Sequence, residues 1–278
     1  LEYGLEMERK YEIDLVLDDV SKNLIELFLI SETLKHDSFS KIKPKEIQHA
    51  AVVGAGIMGS GIAWSMNHKG IDVRLKTLNY DEAANAIKLI RKIYDGFLRR
   101  KRLTTREVDL KMDKITYTPE NKGFENINIL VEAVNESEKI KTTVFKTFEE
   151  SMPTDAIIAS NTSSISITRL ASHLQHPNRF IGMHFFNPVN KMPLVEIIPG
   201  ELTDEKTIAT VVKLAKNLGK TPIKIKDSAG FLVNRILLPY LQEATFIFED
   251  GGSIKQIDKV LLDFGMPMGA FTLIDTVG

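Results

Sequence analysis

Polar side chains that could perform acid–base chemistry occur in four short segments, each next to an apolar run. The segments are 131–141 (VEAVNESEKIK), 160–167 (SNTSSISI), 182–198 (GMHFFNPVNKMPLVEII) and 226–235 (KDSAGFLVNR). They supply a candidate base, an acidic residue that could orient it, and hydroxyl and amide donors. Ligands of open α/β sheets bind beyond the carboxyl ends of the strands. For a lone histidine between apolar residues, as in the third segment, the alternative is a hydrogen-bonded core residue.

A glycine-rich segment near residue 54 is typical of a dinucleotide-binding loop. Gly54, Gly56 and Gly59, with Ile57 and Met58 between them, match G-x-G-x-x-G between a predicted strand and a predicted helix. The first glycine allows a tight turn, the second a close backbone approach to a pyrophosphate, and the third close packing of helix on strand. The start of the helix would then present free N–H groups to the phosphates. The alternative is a purely structural glycine turn.

The second predicted strand ends in a threonine where such domains usually carry an acid that binds the adenosine ribose. Thr77 can make a single hydrogen bond there, and the nearest acid, Asp81, is predicted on the next helix. The neighbouring Arg74 and Lys76 could favour a 2′-phosphate or form a solvated edge. A missing acid lowers NAD selectivity without building a phosphate site, so NAD is preferred as the cofactor and NADP stays open.

The elements that must position these residues follow from the hydropathy pattern beyond residue 46. Predicted strands are 49–53, 72–78, 127–134, 156–160, 179–186, 194–198 and 222–226, and predicted helices are 57–68, 81–100, 138–152 and 204–218. This alternation predicts an α/β fold, a Rossmann-type mostly parallel sheet with helices on both faces, over residues 47–226. Helical stretches at 231–248 and 253–264, with no strand between them, predict an all-α domain over residues 227–278.

The first 46 residues predict a helix and a linker. Apolar residues from Ile13 to Phe28 recur at spacings of three and four, which indicates one amphipathic helix of about five turns. The lysine-rich stretch around Pro44 then reads as a linker. The chain begins without methionine and ends on the apolar FTLIDTVG, so we expect a fragment at both ends and a truncated all-α domain.

The composition excludes several classes of function. A formal net charge of −1 provides no global field for nucleic acid or an anionic membrane. The absence of cysteine excludes disulfides, thiolate metal sites and a cysteine nucleophile, and it fits a reducing compartment. No apolar run is long enough to span a bilayer. We therefore expect a cytoplasmic protein with no nucleic-acid partner, no membrane span and no metal site.

Four phrases, SNTSS, HFFNP followed by LVE, GFLVNR and the closing PMGAFTLIDTVG, resemble the L-3-hydroxyacyl-CoA dehydrogenase family in the same order. The last phrase departs slightly, since the family tends to read P-x-G-P there. The resemblance covers about residues 47–278. It implies reversible, NAD-dependent oxidation of an (S)-3-hydroxyacyl-CoA to the 3-ketoacyl-CoA, a step of fatty-acid β-oxidation.

The resemblance also implies the roles of the catalytic residues. His184 would be the base that removes the 3-hydroxyl proton, and Glu196 would pair with it and stabilise its protonated form. A histidine ordinarily titrates near neutrality, and a carboxylate orients its ring. Ser163 and Asn234 would hydrogen-bond the substrate oxygen. For Ser163 the alternative is a helix N-cap.

Further positions match the family near the cofactor. They are Glu136, Lys141 and Asn187, and for the first two the alternative is an exposed helical ion pair. The substrate, an acyl-CoA, carries several phosphates, so the basic run at residues 99–102 makes Lys101 a candidate for CoA binding. The alternative there is a solvated basic face.

The N-terminal helix and the linker resemble the multifunctional fatty-acid oxidation proteins, in which an enoyl-CoA hydratase domain precedes the dehydrogenase. This implies that the chain is the dehydrogenase part of such a protein, with a homodimer or a larger β-oxidation complex as its assembly. Two rival functions remain open. One is a β-hydroxyacid dehydrogenase acting on a free acid, and the other is a non-catalytic dinucleotide-binding or structural protein.

Overall fold

The protein is built around one eight-stranded sheet, seen in a computed structural model that describes residues 1–37 and 39–277. The strands are β1 (His49–Val53), β2 (Asp72–Lys76), β3 (Ile115–Thr118), β4 (Ile129–Glu132), β5 (Ile157–Ser160), β6 (Phe180–Phe185), β7 (Leu194–Pro199) and β8 (Thr221–Lys224). Their order is β3-β2-β1-β4-β5-β6-β7-β8, and every neighbouring pair is parallel except β6 with β7. The predicted mostly parallel Rossmann-type sheet is confirmed.

Helices cover both faces of this sheet. The helices of the described chain are α1 (Glu2–Leu17), α2 (Asp19–His36), α3 (Ile57–His68), α4 (Tyr80–Arg99), α5 (Thr105–Met112), α6 (Glu138–Ser151), α7 (Ile167–Ala171), α8 (Glu205–Asn217), α9 (Val233–Glu249), α10 (Ile254–Phe264) and α11 (Ala270–Val277), with a 3₁₀ turn at Pro177–Arg179. Side chains alternate between the faces of a strand. In β1, Ala50 and Val52 therefore pack with α3, α4 and α8, whereas Ala51 and Val53 pack with α6 and α7.

Strand β3 escaped the sequence-based prediction. Its sequence, ITYT, buries only its end residues, Ile115 and Thr118, and leaves the two between them exposed. It lies at one edge of the sheet, next to β2. A four-residue edge strand with two polar threonines carries neither a continuous apolar run nor a clear alternation, so the hydropathy pattern could not reveal it.

The single amphipathic helix predicted across residues 13–28 is wrong. Helix α1 ends at Leu17, and α2 begins at Asp19. Asp18 between them has extended backbone (ψ 139°), and its side chain accepts a hydrogen bond from the amide of Val20. An aspartate that caps the next helix ends the preceding one. The periodic apolar residues also pack against little, since no residue of α1 or α2 is buried.

Beyond residue 227 the described chain is helical, as predicted. Helices α9, α10 and α11 share a small apolar cluster built on Ala244, Ile257 and Ala270. The exact domain limits, at residues 46/47 and 226/227, stay predictions. Across the described residues, no helix combines the length and the apolar character needed to cross a bilayer.

Candidate active site

The glycine loop joins β1 to α3 at the carboxyl edge of the sheet. Gly54 has a φ of +96°, and a Cβ there would lie 2.5 Å from the carbonyl oxygen of Ala133. A Cβ on Gly59 would lie 1.8 Å from the carbonyl oxygen of Gly54, whereas one on Gly56 would have no neighbour within 4 Å. The first and third glycines are therefore needed for the fold, while the second leaves an open approach to the backbone.

The open approach at Gly56 fits a pyrophosphate. Gly56 is the N-cap of α3 and offers no side chain to cap it, so the first N–H groups of the helix stay available to an anion. Ile57 follows with 67% of its surface exposed, and Met58 packs partly against the core. The loop thus fits the dinucleotide predicted from its sequence, and binding by these particular residues stays a prediction.

Alanine at two of these glycines separates ligand binding from folding. We expect Gly56→Ala to keep the wild-type free energy of unfolding and to weaken NADH binding, because its methyl group would occupy the phosphate approach. Gly59→Ala is expected to lose about 1–3 kcal/mol of stability, since helix and loop must move apart. Urea unfolding and NADH fluorescence titration of both variants measure this. Unchanged NADH affinity in Gly56→Ala would contradict the assignment.

A cavity of about 400 Å³ opens beside the loop, between the ends of β2 and β4. Its walls include Gly54–Gly56, Lys76–Leu78, Glu82, Asn121, Ala133–Asn135, and Ile140, Thr143, Val144, Thr147 and Phe148 from α6. Thr77 is almost fully buried, and its hydroxyl donates to the carbonyl oxygen of Asn79 at 3.0 Å. The guanidinium of Arg74 is bound to the carbonyl oxygen of Lys122 and is absent from this lining. Of the two basic residues considered for a 2′-phosphate, only Lys76 therefore reaches the cavity.

His184 and Glu196 form a buried pair across the one antiparallel step of the sheet. They are direct cross-strand partners in β6 and β7, and His184 Nδ1 lies 2.6 Å from Glu196 Oε2. A carboxylate only accepts, so Nδ1 carries the hydrogen, and in the neutral ring Nε2 is the nitrogen with the lone pair. Nε2 makes no hydrogen bond to any described residue. The histidine is therefore oriented as a base, and the alternative of a fully satisfied core residue does not describe it.

Glu196 also fixes the first helix of the C-terminal region. Its second oxygen, Oε1, accepts hydrogen bonds from the amides of Leu232 and Val233, at 3.0 and 2.9 Å, where α9 begins. Burial raises the pKa of Glu196, but the hydrogen bonds from His184 and Val233 outweigh it and the net shift is downward. Glu196 is thus held as a carboxylate. This helix contact had no signal in the sequence, because the partner amides lie 36 and 37 positions away.

Ser163 and Asn234 meet at the same edge of the sheet. Asn234 Nδ2 donates to the carbonyl oxygen of Ser163 at 3.3 Å, and both side chains are partly exposed. Asn161, in the same loop, accepts from the amide of Phe185 at 2.8 Å and so ties the loop to the end of β6. The N-cap alternative for Ser163 is wrong, because Ser166 caps α7. Their contact with a substrate oxygen stays a prediction.

Glu136 and Lys141 belong to a partly buried network, so the alternative of an exposed helical ion pair is wrong. Lys141 is 1% exposed, with its Nζ 3.3 Å from Glu136 Oε2. Glu136 precedes α6 and accepts from the hydroxyl of Thr162 and the amides of Ser163 and Ser164. Burial acts to raise the pKa of Glu136. The hydrogen bond from Thr162 and the charge of Lys141 outweigh this effect and lower the pKa to about 2.

The third member of this network, Glu132, was not singled out in the sequence. It ends β4, is fully buried, and lies 2.7 Å from Lys141 Nζ and 2.7 Å from the hydroxyl of Ser160, its cross-strand partner. Burial raises its pKa, and the charge of Lys141 opposes that rise. An acid that ends an apolar strand, nine residues before a lysine, was the available signal.

Two predicted residues lie apart from this cluster. Asn187 is exposed, two residues beyond the end of β6. Lys101 follows α4, whose 20 residues extend about 30 Å from the cavity. It lines a shallow surface groove with Leu98 and Arg102. Neither side chain forms a hydrogen bond or an ion pair with the other predicted site residues within the part of the chain that the structure describes, and both assignments stay predictions.

Comparison with known proteins gives the family. Residues 49–228 match the NAD binding domain of 3-hydroxyacyl-CoA dehydrogenase, and residues 230–278 match its C-terminal domain. The chain belongs to this family. NAD is therefore confirmed as the cofactor of the larger domain.

Relatives agree in sequence and in structure. The fatty acid oxidation complex subunit alpha of Vibrio vulnificus (strain CMCP6) is 40% identical over all of this chain, which spans 40% of that subunit. M. tuberculosis FadB2 is 35% identical with a TM-score of 0.80, covering 84% of each chain. The (S)-3-hydroxybutyryl-CoA dehydrogenase PaaH1 of Ralstonia eutropha is 36% identical with a TM-score of 0.80, covering 84% of this chain and 83% of its own.

Proposed function

We propose that this chain catalyses the reversible oxidation of an (S)-3-hydroxyacyl-CoA to the 3-ketoacyl-CoA, with NAD taking the hydride from C3. The observation that carries the proposal is the His184–Glu196 pair. A buried histidine with one nitrogen bound to a carboxylate and the other unbonded is suited to take the proton of a hydroxyl group.

The pair and the residues around it have different roles in the proposed reaction. Nε2 of His184 accepts the 3-hydroxyl proton during oxidation and returns it during reduction. Glu196 keeps the ring in the required tautomer and stabilises the imidazolium that forms. Ser163 and Asn234, which are linked by a 3.3 Å hydrogen bond from Asn234 Nδ2 to the carbonyl oxygen of Ser163, hold the substrate oxygen near Nε2 of His184. Proton transfer at a positioned group ordinarily contributes about 10²–10⁴-fold to the rate.

The CoA thioester is the proposed substrate class because solved relatives act on such substrates. PaaH1 is named an (S)-3-hydroxybutyryl-CoA dehydrogenase. The relative named as a fatty acid oxidation complex subunit supports a place in a larger complex of the same kind. Homodimer formation and a cytoplasmic location stay predictions.

The decisive assay compares two ketone substrates that differ only in the thioester. We expect the purified chain to oxidise NADH in the presence of acetoacetyl-CoA and to leave acetoacetate untouched. Equal turnover of the free acid would favour the rival β-hydroxyacid dehydrogenase. NADH binding without turnover of either compound would favour a non-catalytic dinucleotide-binding protein.

A further inference from the structure

The order of the strands fixes which half of the cofactor lies over the cavity beside β2. The pyrophosphate site is at the start of α3, directly after β1, and His184 lies on β6. Since the sheet runs β2-β1-β4-β5-β6, the nicotinamide must extend from the loop toward β6 to meet this histidine. The adenosine half then extends the opposite way, toward β2 and the 400 Å³ cavity.

The threonine at the end of β2 is a poor partner for the adenosine ribose. Thr77 is 1% exposed, and its hydroxyl hydrogen is directed to the carbonyl oxygen of Asn79. It therefore offers a ribose hydroxyl little accessible surface. A residue other than Thr77 must do what the usual acid at this position does.

A carboxylate does reach the end of β2, from the first turn of α4. Glu82 lines the cavity, and its Oε2 accepts a hydrogen bond from the amide of Leu78 at 2.5 Å. The amide of Glu82 is itself bound to Oδ1 of Asn79, the N-cap of α4. The carboxylate is thus held beside the residue that follows Thr77, and its Oε1 makes no hydrogen bond to the described residues.

We propose that Glu82 is the residue that selects NAD over NADP. Its free oxygen accepts the 2′-hydroxyl of the adenosine ribose, and its charge repels a 2′-phosphate placed there. The inference rests on the NAD-binding part of the proposed function. Glu82 lies on α4, five residues after Thr77, and takes the role of the acid that such domains usually carry at the end of the second strand.

The other charged group in this cavity makes Glu82 necessary. Lys76 lines the same cavity, with its Nζ 2.8 Å from the carbonyl oxygen of Thr77. Burial lowers the pKa of Lys76, and the negative charge of Glu82 opposes part of that shift. The two side chains therefore interact electrostatically. Without the carboxylate, the ammonium would attract a 2′-phosphate.

Binding of reduced cofactors to Glu82→Gln tests the proposal. Glutamine keeps an oxygen for the amide of Leu78 and removes the charge. We expect the preference for NADH over NADPH, as the ratio of the two dissociation constants from fluorescence titration, to fall about tenfold or more, because like charges at an interface are strongly penalised. The control is Asp81→Asn, which removes an exposed charge from the same turn, outside the cavity, and should leave the ratio unchanged.

Three outcomes would overturn the role of Glu82. They are an unchanged ratio in Glu82→Gln, an equal loss of affinity for both cofactors, and a wild-type chain that binds both equally. The titration contains no acyl-CoA, so its result is independent of the substrate. A wild-type chain that prefers NADH, loses that preference in Glu82→Gln and does not turn over acetoacetyl-CoA would refute the proposed reaction and leave the role of Glu82 standing.

Discussion

Replacement of His184 by alanine is expected to lower kcat/KM for acetoacetyl-CoA by about 10²–10⁴-fold, the usual contribution of a positioned acid–base group. The loss follows because Nε2 is the one histidine nitrogen of the site left without a partner among the described residues. NADH affinity should change far less than kcat/KM, since the glycine loop proposed to hold the pyrophosphate follows β1, whereas His184 lies on β6. Steady-state kinetics and NADH titration of the same preparation measure both effects.

A second histidine provides the matched control for this variant. His173 is exposed and pairs with Glu138, so His173→Ala should keep wild-type kinetics. Equal rates for His184→Ala and the wild type would remove His184 from the mechanism. An equal loss in both variants would point to a change in the fold rather than in the proton transfer.

Replacement of Glu196 by glutamine is expected to lower both activity and stability. The carboxylate accepts from His184 and from the amides of Leu232 and Val233 where α9 begins, whereas an amide side chain has one oxygen and turns its NH₂ group toward donors. Buried donors left unpaired cost about 1–3 kcal/mol each. We expect kcat to fall about 10²-fold or more, because the ring loses the carboxylate that stabilises its protonated form.

The stability effect of Glu196→Gln should depend on pH in a defined direction. The pKa of Glu196 is lowered from its ordinary value of 4.5, so its stabilising contribution is fully present above that pH. The contribution is lost as the pH falls through the lowered pKa. The difference in unfolding free energy between wild type and variant should therefore shrink below pH 4.5, as measured by urea unfolding across a pH series.

Glu149→Gln is the control for Glu196→Gln. It removes a buried carboxylate elsewhere in the fold and so shows what such a loss does to stability alone. Glu149 is also buried and accepts from the amides of Gln175 and His176, away from the histidine of the site. It should lose stability and keep kcat. If Glu196→Gln behaved the same way, with kcat unchanged, Glu196 would serve only to hold α9 against the sheet.

The local elements could be predicted because their signals lie within a few residues of each other. The strand–glycine loop–helix unit around Gly54 and helix α3 were expected at the bounds where they occur. Apolar runs and helical periodicity depend on neighbouring residues alone. Two of the failures, β3 and the break at Asp18, involve an edge strand with few apolar residues and a capping side chain that overrides periodicity, and the short helices α5, α7 and α11 were also not predicted.

The sequence by itself determined the chemical groups of the site, through the glycine spacing and through phrases that match the family in order. Only the tertiary structure decided how those groups are used. Sheet order and register place Glu196 opposite His184, bury Lys141 against Glu132, and leave the hydroxyl of Thr77 donating to a backbone carbonyl beside the cavity that Glu82 lines. The physical reason is that burial and hydrogen-bond partners depend on which distant strands and helices become neighbours, and no local pattern carries that information.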